Sequence, residues 1–295
     1  EDALAGVAGA SLTSGSGQVS ATGGIDHLGE PWALPLKEAK LSTFLAQDQQ
    51  LREGDPEVFL SGQVTDAQSR INLSQWVEPN DAKGQARLSP TMQLRMSRLF
   101  GVLGLPGTEL ETLSQAWLVA TQAARSRSAS VGSERPSDAS NASIASALLP
   151  LQTGQLQWLG VRAETVAALA PFVTILPEST PVNLNTASAE VIYASVAGLD
   201  LSSAQKFVQA RGQSHFDNLT DTAKALGVKS LDTGQFSVSS RYFEVWGRLR
   251  LEDRTQEETA LIFRDAGNTR LVWRQKIAGI LPPANQESLL QSKKL

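Results

Sequence analysis

The chain has 295 residues, of which 41% are hydrophobic, and it carries a formal net charge of −4. It is long enough for one large domain or two moderate ones, and too apolar to be mainly disordered. Its weak acidity gives no general attraction for nucleic acid or anionic lipid. The absence of cysteine excludes disulfides, thiolate metal sites and cysteine nucleophiles. With only two histidines, His27 and His215, a multi-histidine metal site is excluded as well.

The N-terminal part begins at Glu1, with no initiator methionine and no signal peptide. We therefore expect the chain to have been processed or cut, and no apolar run is long enough to predict a transmembrane helix. Residues 1–12 are alanine-rich and predict the end of a helix, and residues 13–24 predict a flexible linker. Trp32 follows between two prolines that forbid regular structure, and it is expected to anchor this segment on a core.

Strand-like segments come next. Residues 41–45 and 57–64 read as strands, the second with partial alternation of apolar and polar side chains. Residues 66–70 predict a polar turn, after which residues 71–73 resume an extended segment.

The middle of the chain predicts helices. Residues 90–103 carry apolar side chains at near-helical spacing, with Ser89 as the N-cap and proline at the first helical position. Residues 109–124 and 163–173 predict two more helices. Between them, residues 126–146 are serine-dense and too polar to pack, so they predict a long exposed loop.

A helical hairpin is predicted around the segment 181–190, which reads Pro-Val-Asn-Leu-Asn-Thr-Ala-Ser-Ala-Glu. Asn185 or Thr186 is expected to cap a helix over 187–197, because their side-chain oxygens can accept from free N–H groups. A short turn leads to a second helix over 202–211, and a third short helix follows.

The C-terminal part is strand-like again, over 235–251, 259–263 and 269–277, with a hairpin turn at 265–268. Residues 282–295 predict a disordered tail. Two or three strands alone are marginally stable, so the strands at both ends are expected to form one sheet. The predicted domains are a sheet domain from 1–75 and 233–278, an inserted α-helical domain over 76–232, and a tail over 279–295.

The helical hairpin resembles an element found in two kinds of protein. One is the DNA-binding helix-hairpin-helix proteins, and the other is the type II secretion minor pseudopilin K family, where the element lies in an insertion domain. In the DNA-binding setting, a glycine-rich hairpin lets backbone N–H groups reach a phosphate. Here Asp200 stands in the hairpin and would repel a phosphate, and residues 181–232 carry five acidic against four basic side chains. We favour the pseudopilin setting and keep a helix-hairpin-helix DNA-binding protein as the alternative.

Other segments resemble the same family, in family order along nearly the whole chain. They are 26–33, 66–74 (with Ser74 where a second asparagine is expected), 171–177 and 240–243. The residues that match family positions, which we interpret as structural, are Asp26, Leu28, Gly29, Glu30, Trp32, Asn72, Asn183, Asn185, Thr186, Ala187, Arg211, Phe216, Arg241, Tyr242 and Phe243.

The resemblance implies an α+β fold: a pilin-like antiparallel sheet domain, lacking its N-terminal hydrophobic helix, with a large inserted helical domain that contains a helix-hairpin-helix or SAM-like element. It implies a minor pseudopilin at the tip of the pseudopilus that nucleates its assembly for protein export. The implied partners are I-type and J-type minor pseudopilins and secreted exoproteins. The implied location is the periplasm of a Gram-negative bacterium, with a single inner-membrane span upstream.

Family members often bind calcium through an acidic stretch after a tryptophan and a later Gly-x-Glu-Asp step. Here residues 116–121 keep the tryptophan and lose every acid, and the later step survives at most as 132–134. Two scattered acids, Glu134 and Asp138, are too few oxygen ligands for calcium. We therefore predict that this chain has lost the family's metal and has no cofactor.

No catalytic set can be assembled, so a periplasmic hydrolase is the third and weakest reading, and we predict a protein that is not an enzyme. His27 is interpreted as a structural group, since no nucleophile or acid partner can be named for it. His215 is interpreted as a loop residue, and Arg211 as a cation at the C-terminus of a helix. Three tryptophans are expected to lie in the core or at an interface, with the core favoured: Trp76, Trp158 and Trp246.

Overall fold

The structure is a computed structural model that describes residues 24–41, 57–78, 86–130, 148–252, 254–265 and 267–277. The described chain forms two compact units. The sheet unit comprises residues 29–65 and 241–277, and the helical unit comprises residues 24–28 and 66–240. The helical unit therefore interrupts the sheet unit along the chain.

The strands alternate side chains between two faces and pair into one larger sheet and two short ladders. They are β1 (Leu36–Lys40), β2 (Val58–Asp66), β3 (Ile71–Asn72), β4 (Val173–Thr174), β5 (Val182–Asn183), β6 (Phe236–Ser237), β7 (Tyr242–Leu251), β8 (Arg254–Asp265) and β9 (Asn268–Ile277). The larger sheet has the order β1-β2-β7-β8-β9, in which β1–β2, β7–β8 and β8–β9 are antiparallel pairs. Because β2 lies beside β7, the early and late strands share one sheet, which confirms the predicted α+β fold.

The sheet unit has its own apolar core. Phe243 and Ile262 lie directly opposite each other on β7 and β8, and Val245 and Val64 are buried in the same cluster. Trp32 packs against Phe243 edge to face, with 5.1 Å between ring centroids. The indole is 4% exposed, which confirms its predicted role as an anchor.

Gly62 on β2 marks a close approach between two strands. A Cβ at this position would lie 2.9 Å from the backbone carbonyl oxygen of Trp246 on β7, which cannot rotate away. We expect Gly62→Ala to lower the free energy of unfolding by about 1–3 kcal/mol in urea denaturation, because the strands must separate locally. Gly101→Ala is the control, since a Cβ there meets no atom within 4 Å. Equal stabilities of the two variants would contradict the close approach.

The helical unit is built from six α-helices among the described residues, together with 3-10 helices over 67–69, 73–76 and 153–159. The α-helices are α1 (Pro90–Val102), α2 (Gly107–Ser130), α3 (Ala163–Leu169), α4 (Ala189–Ser195), α5 (Leu201–Gln213) and α6 (Leu219–Leu226). Their core includes Trp76 and Trp117, whose ring centroids are 6.4 Å apart. The ladders β3–β4 and β5–β6 are both parallel and join distant parts of this unit.

Two helix ends predicted in the helical unit were wrong. The helix predicted over 163–173 ends at Leu169, because Val173 and Thr174 pair with β3 instead. The helix predicted over 109–124 continues to Ser130, and Arg125 donates to the backbone carbonyls of Val77 and Glu78 rather than ending the helix. The remainder of the predicted serine-rich loop, 131–146, lies outside the described residues.

Other predictions fall outside the described residues or were wrong in detail. The helix over 1–12, the C-terminal tail and all but Leu41 of the strand at 41–45 are outside them. The strand β1 was missed, since the prolines that precede it indicated irregular structure. Trp76 is fully buried, Trp246 is partly buried on the sheet, and Trp158 is 57% exposed, so the core position favoured for Trp158 was wrong.

The unit boundaries lie at Thr65/Asp66 and Ser240/Arg241, whereas the sequence placed them at 75/76 and 232/233. The difference arises because β3 pairs with β4 and β6 pairs with β5, so these short strands belong to the helical unit. Among the described residues, no helix has both the length and the apolar character needed to cross a bilayer.

Candidate functional site

A buried carboxylate, Asp66, lies where the chain enters the helical unit. It is 1% exposed and stands at the end of β2. Its Oδ2 accepts hydrogen bonds from Thr186 Oγ1 at 2.5 Å, Ser240 Oγ at 2.7 Å and Asn183 Nδ2 at 3.1 Å. Its Oδ1 accepts from the backbone N–H of Gln68 at 2.7 Å. Asp66 and Ser240 are the first and last residues of the segment 66–240, so this contact closes the helical unit.

A second carboxylate, Asp26, joins the same cluster and is also 1% exposed. Its Oδ2 accepts from the backbone N–H of Ser240 at 2.7 Å, and its carbonyl accepts from Asn183 Nδ2 at 3.1 Å. Its own N–H donates to the carbonyl of Val238 at 3.0 Å. Residues 24–28 are thereby fixed to the point where the chain leaves the helical unit. We call Asp26, Asp66, Asn183, Thr186 and Ser240 the closure cluster.

Burial controls the electrostatics of the closure cluster. Loss of hydration raises the pKa of Asp66 from 3.8 to about 6, and the nearby carboxylate of Asp26 acts in the same direction. The hydrogen bonds from Thr186, Ser240 and Gln68 act in the opposite direction, because they favour the ionised form. Asp66 therefore titrates in the mildly acidic range, unlike an exposed aspartate.

Asn72 and Asn185 extend this polar framework. Asn72 uses both ends of its amide: Oδ1 accepts from the backbone N–H of Ser74 and Leu176, each at 3.1 Å, and Nδ2 donates to the carbonyl of Glu178 at 2.8 Å. Asn185 makes a reciprocal pair with the backbone of Phe216, at 2.9 and 3.0 Å. Both side chains supply hydrogen-bond partners to backbone groups of distant residues, Leu176, Glu178 and Phe216, that lie outside helices and strands.

The structure corrects the cap role that the sequence suggested for Asn185 or Thr186. Neither Asn185 nor Thr186 caps a helix: Ser188 is the N-cap of α4, which begins at Ala189 because Asn183 to Ala187 form a turn. Ala187 is buried in that turn. Arg211 lies in the last turn of α5, as predicted for a cation at the C-terminus of a helix, and in addition it is 9% exposed and donates to the carbonyl of Leu184 at 2.5 Å.

The remaining motif residues lie in the sheet unit, except Leu28, which belongs to the helical unit. Glu30 Oε2 accepts from the indole N–H of Trp32 at 2.8 Å. Tyr242 packs on Phe263 with 5.0 Å between centroids, and the guanidinium of Arg241 lies 5.2 Å from the same ring centroid. Leu28 and Gly29 are exposed, and Leu28 is 53% accessible.

The two histidines are in contact, which the sequence reasoning missed. The rings of His27 and His215 are stacked, with centroids 3.8 Å apart and planes within 5°. His215 Nε2 also lies 3.3 Å from Asp217 Oδ1. His27 follows Asp26 of the closure cluster, so this stack fixes the same short segment 24–28.

Two cluster members, Asp66 and Ser240, were absent from the predicted motif residues. Asp66 was interpreted as part of a polar turn, and Ser240 only as part of the strand predicted over 235–251. A usable signal was present, because each is the first residue of a segment that resembles the family.

The closure cluster is suited to holding the first and last residues of the helical unit together, and not to catalysis or calcium binding. Its oxygens are occupied by internal donors and are buried away from solvent. Across the ranges described above, no group of three His, Asp or Glu side chains is placed to hold a metal ion. The residues at 116–121 do not fit calcium either, because they lie within α2, where Trp117 and Ala120 face the core.

In the hairpin between α4 and α5, the start of α5 is already capped by a side chain of this protein. Asp200 is the N-cap of α5, and its Oδ1 accepts from the backbone N–H of Ser203 at 2.8 Å. Hydrogen bonds from Ser202 and Ser203 lower the pKa of Asp200 to about 2, so the cap is negatively charged. A carboxylate therefore occupies the position where a DNA-binding hairpin would receive a phosphate.

The antiparallel sheet is interrupted along the chain by a compact helical unit, and a buried polar cluster closes that unit. This arrangement defines a pilin-like protein with an insertion. Two family models, both described as "Type II secretion system (T2SS), protein K", match residues 69–178 and 182–239, which together exceed half of the chain. The chain belongs to the type II secretion system protein K family, whose members are minor pseudopilins and not known enzymes.

Individual relatives agree with this membership. The type II secretion system protein K of Pseudomonas aeruginosa is 28% identical over 264 residues, which is 88% of this chain and 73% of that protein. A chain from the crystal structure of the GspK-GspI-GspJ complex of enterotoxigenic Escherichia coli superposes with a TM-score of 0.61. That match covers 94% of both chains at 16% identity, and it shows a common fold.

Proposed function

We propose that this protein lies at the tip of the pseudopilus and nucleates its assembly together with I-type and J-type minor pseudopilins. The observation that carries the proposal is the helical unit 66–240, inserted between β2 and β7, two adjacent strands of the pilin-like sheet. The solved relative with this fold was crystallised as a GspK-GspI-GspJ complex, which supports the choice of partners.

The physical reason is steric. A subunit in the body of a helical filament is covered by the subunit above it, and every repeat must fit the same space. A compact insertion held together by buried hydrogen bonds cannot flatten to make that room. Such a subunit can begin a filament at its tip, and it cannot be repeated along it.

The same proposal covers location and chemistry. The described portion would lie in the periplasm, attached to the inner membrane through an upstream apolar helix of about 20 residues. Export across the outer membrane would follow from assembly of the pseudopilus and from contact with secreted exoproteins. The protein would perform no catalysis.

Labelling of assembled pseudopili tests the tip position. Full-length protein carrying an epitope would be detected by gold labelling and electron microscopy, with the major pseudopilin as the reference. We expect label at one end of each fibre and fewer fibres when the protein is omitted. Label at regular intervals along the fibre body would contradict the tip role.

We also propose that the chain binds no calcium at the position of the family site. The apolar residues of α2 cannot supply carboxylate ligands, so 1 mM calcium is expected to leave the thermal unfolding midpoint unchanged relative to excess chelator. A protein with a known calcium site, measured under the same conditions, shows that the assay detects binding. A calcium-dependent rise in the midpoint of this chain would overturn the proposal.

A further inference from the structure

A buried arginine contacts the segment by which the chain leaves the helical unit. Arg95 lies on α1 and is 3% exposed. Its Nη2 donates to Gln235 Oε1 at 2.6 Å, and its guanidinium carbon lies 5.3 Å from the centroid of the Phe236 ring. Both partners belong to the segment 232–237, which we call the exit segment. Arg95 therefore joins α1 to the exit segment through a hydrogen bond and an aromatic contact.

Arg95 is a cation that forms no ion pair with any carboxylate in the described part of the chain. Its Nε is buried and has no hydrogen-bond acceptor there either. Asp232 is the acid whose charge acts on Arg95. The oxygens of that carboxylate accept from the backbone N–H of Gly234 at 2.9 Å and from Gln235 Nε2 at 3.1 Å. The amide of Gln235 therefore lies between the cation and the carboxylate.

Burial makes this contact unfavourable for the charged side chain. Loss of hydration lowers the pKa of Arg95 from 12.5 to about 10, and the charge of Asp232 offsets only part of that effect. The guanidinium is still ionised at neutral pH, so the folded protein bears the cost of its lost hydration. A charge buried in this way commonly stabilises less than an apolar side chain of similar volume. The unsatisfied Nε weakens the contact further.

The other side of the exit segment is held by a short ladder. β6 pairs with β5 over two residues, and the N–H groups of Val182 and Leu184 donate to carbonyls of the exit segment at 2.9 Å each. Residues 232–234 are exposed. Ser240, just beyond the exit segment, is fixed separately in the closure cluster. Separation of the exit segment from α1 and β5 therefore returns Arg95 to water and leaves the closure cluster intact.

We propose that Arg95 makes the exit segment the part of the helical unit that opens locally, while the closure cluster keeps the two ends of the unit together. The guanidinium fits only where Gln235 accepts and the Phe236 ring is in place, so it selects one arrangement of the segment. Its lost hydration at the same time lowers the free energy needed to open that arrangement. The inference is independent of the proposed function, because it concerns contacts within the helical unit alone.

Native-state hydrogen exchange of this chain tests the proposal, because an amide is protected until its hydrogen bond opens. The amides of Val182 and Leu184 report on the exit segment, and the amide of Ser240 reports on the closure cluster. We expect Arg95→Met to slow exchange at Val182 and Leu184 at least about 5-fold, since an apolar side chain replaces a buried charge. Exchange at Ser240 is expected to stay unchanged.

Gln235→Met supplies a change in the opposite direction. It removes the acceptor and leaves the guanidinium buried, so exchange at Val182 and Leu184 is expected to accelerate about 10-fold. In the Arg95→Met background, the same substitution is expected to have little effect. This coupling separates the contact between Arg95 and Gln235 from the bond between Gln235 and Asp232.

Arg98→Met is the matched control, because Arg98 lies about one turn further along α1 and contacts a different segment. Its Nη2 donates to the carbonyl of Leu199, and its guanidinium carbon lies 4.3 Å from the centroid of the Tyr193 ring. This variant is expected to leave exchange at the exit segment unchanged.

Unchanged or faster exchange at Val182 and Leu184 in Arg95→Met would overturn the proposal. Equal slowing at Ser240 would also overturn it, because the whole unit would then open together. Phosphate is the second probe. Protection that rises with phosphate in the parent, but not in Arg95→Met, would show that the guanidinium takes an anionic partner from solution, and the proposal would fail on that result as well.

Discussion

Asn183→Ala is expected to lower the free energy of unfolding by about 3–4 kcal/mol, since one truncation leaves several buried polar groups without partners. Asn183 is fully buried, and its Nδ2 reaches Asp66 Oδ2, the carbonyl of Asp26 and Ser240 Oγ at 3.0–3.1 Å. Its Oδ1 also accepts from the backbone N–H of Asn185 at 2.9 Å. Urea denaturation measures the loss, and hydrogen exchange at the amides of Asp26 and Ser240 is expected to accelerate.

Asn218→Ala is the matched control, because it removes the same atoms from an exposed position. Asn218 is the N-cap of α6, and its Oδ1 accepts from the backbone N–H of Asp221 at 2.9 Å. Loss of a cap of this kind costs about 1 kcal/mol. If Asn183→Ala is no more destabilising than Asn218→Ala, the closure cluster does not hold the helical unit together.

Asp66→Asn is expected to remove a pH dependence from the stability of the protein. The pKa of Asp66 is about 6 in the folded state against an ordinary 3.8, so the folded state binds this proton more tightly than the unfolded chain. The stabilisation is therefore complete below about pH 4 and is lost as the pH rises through about 6, and it amounts to about 3 kcal/mol. Urea denaturation of the parent and the variant between about pH 4 and 7 should show this change in their difference.

Asp200→Asn is the control for this titration. The pKa of Asp200 is lowered to about 2 by its hydrogen bonds, so its own contribution is present above its ordinary pKa of 3.8 and is lost only at lower pH. The stability difference between the parent and Asp200→Asn should stay constant over the same range. A constant difference for Asp66→Asn as well would show that its carboxyl is hydrated in the folded state.

The closure cluster explains how the two ends of the long inserted segment 66–240 stay together. Asp66 and Ser240 are 174 positions apart, and their side chains meet at 2.7 Å. Holding the two ends of a long segment together costs loop-closure entropy, and this buried contact helps to offset that cost. The segment 24–28 is tied to the same point through Asp26, so the chain is held where it enters, where it leaves and just before β1.

Much of the architecture could be predicted from local patterns. The apolar spacing that predicts a helix from Pro90, the alternation in β7 and β8, and the Asp-Ala-Gly-Asn turn between β8 and β9 are all properties of short segments. The order of these segments also predicted that early and late strands share one sheet, since neither group alone could bury a face.

The site was only partly predictable. Asn183, Asn185 and Thr186 stand in a segment whose resemblance to the family marks them as structural, but their roles as caps were wrong. Local rules assign an asparagine before a helix to its first N–H groups. In the folded protein, buried acceptors from distant segments compete for the same amides, and burial makes those contacts stronger.

The sequence by itself determined the succession of strands and helices, the turn residues between them and the absence of thiol chemistry, because each depends on residues near one another in the chain. Only the tertiary structure decided that Asp66 is buried beside Ser240, that His27 stacks on His215, and that β3 pairs with a segment predicted to be helical. These features depend on which distant segments meet. A polar side chain in a turn has the same local pattern whether it faces water or a second buried carboxylate.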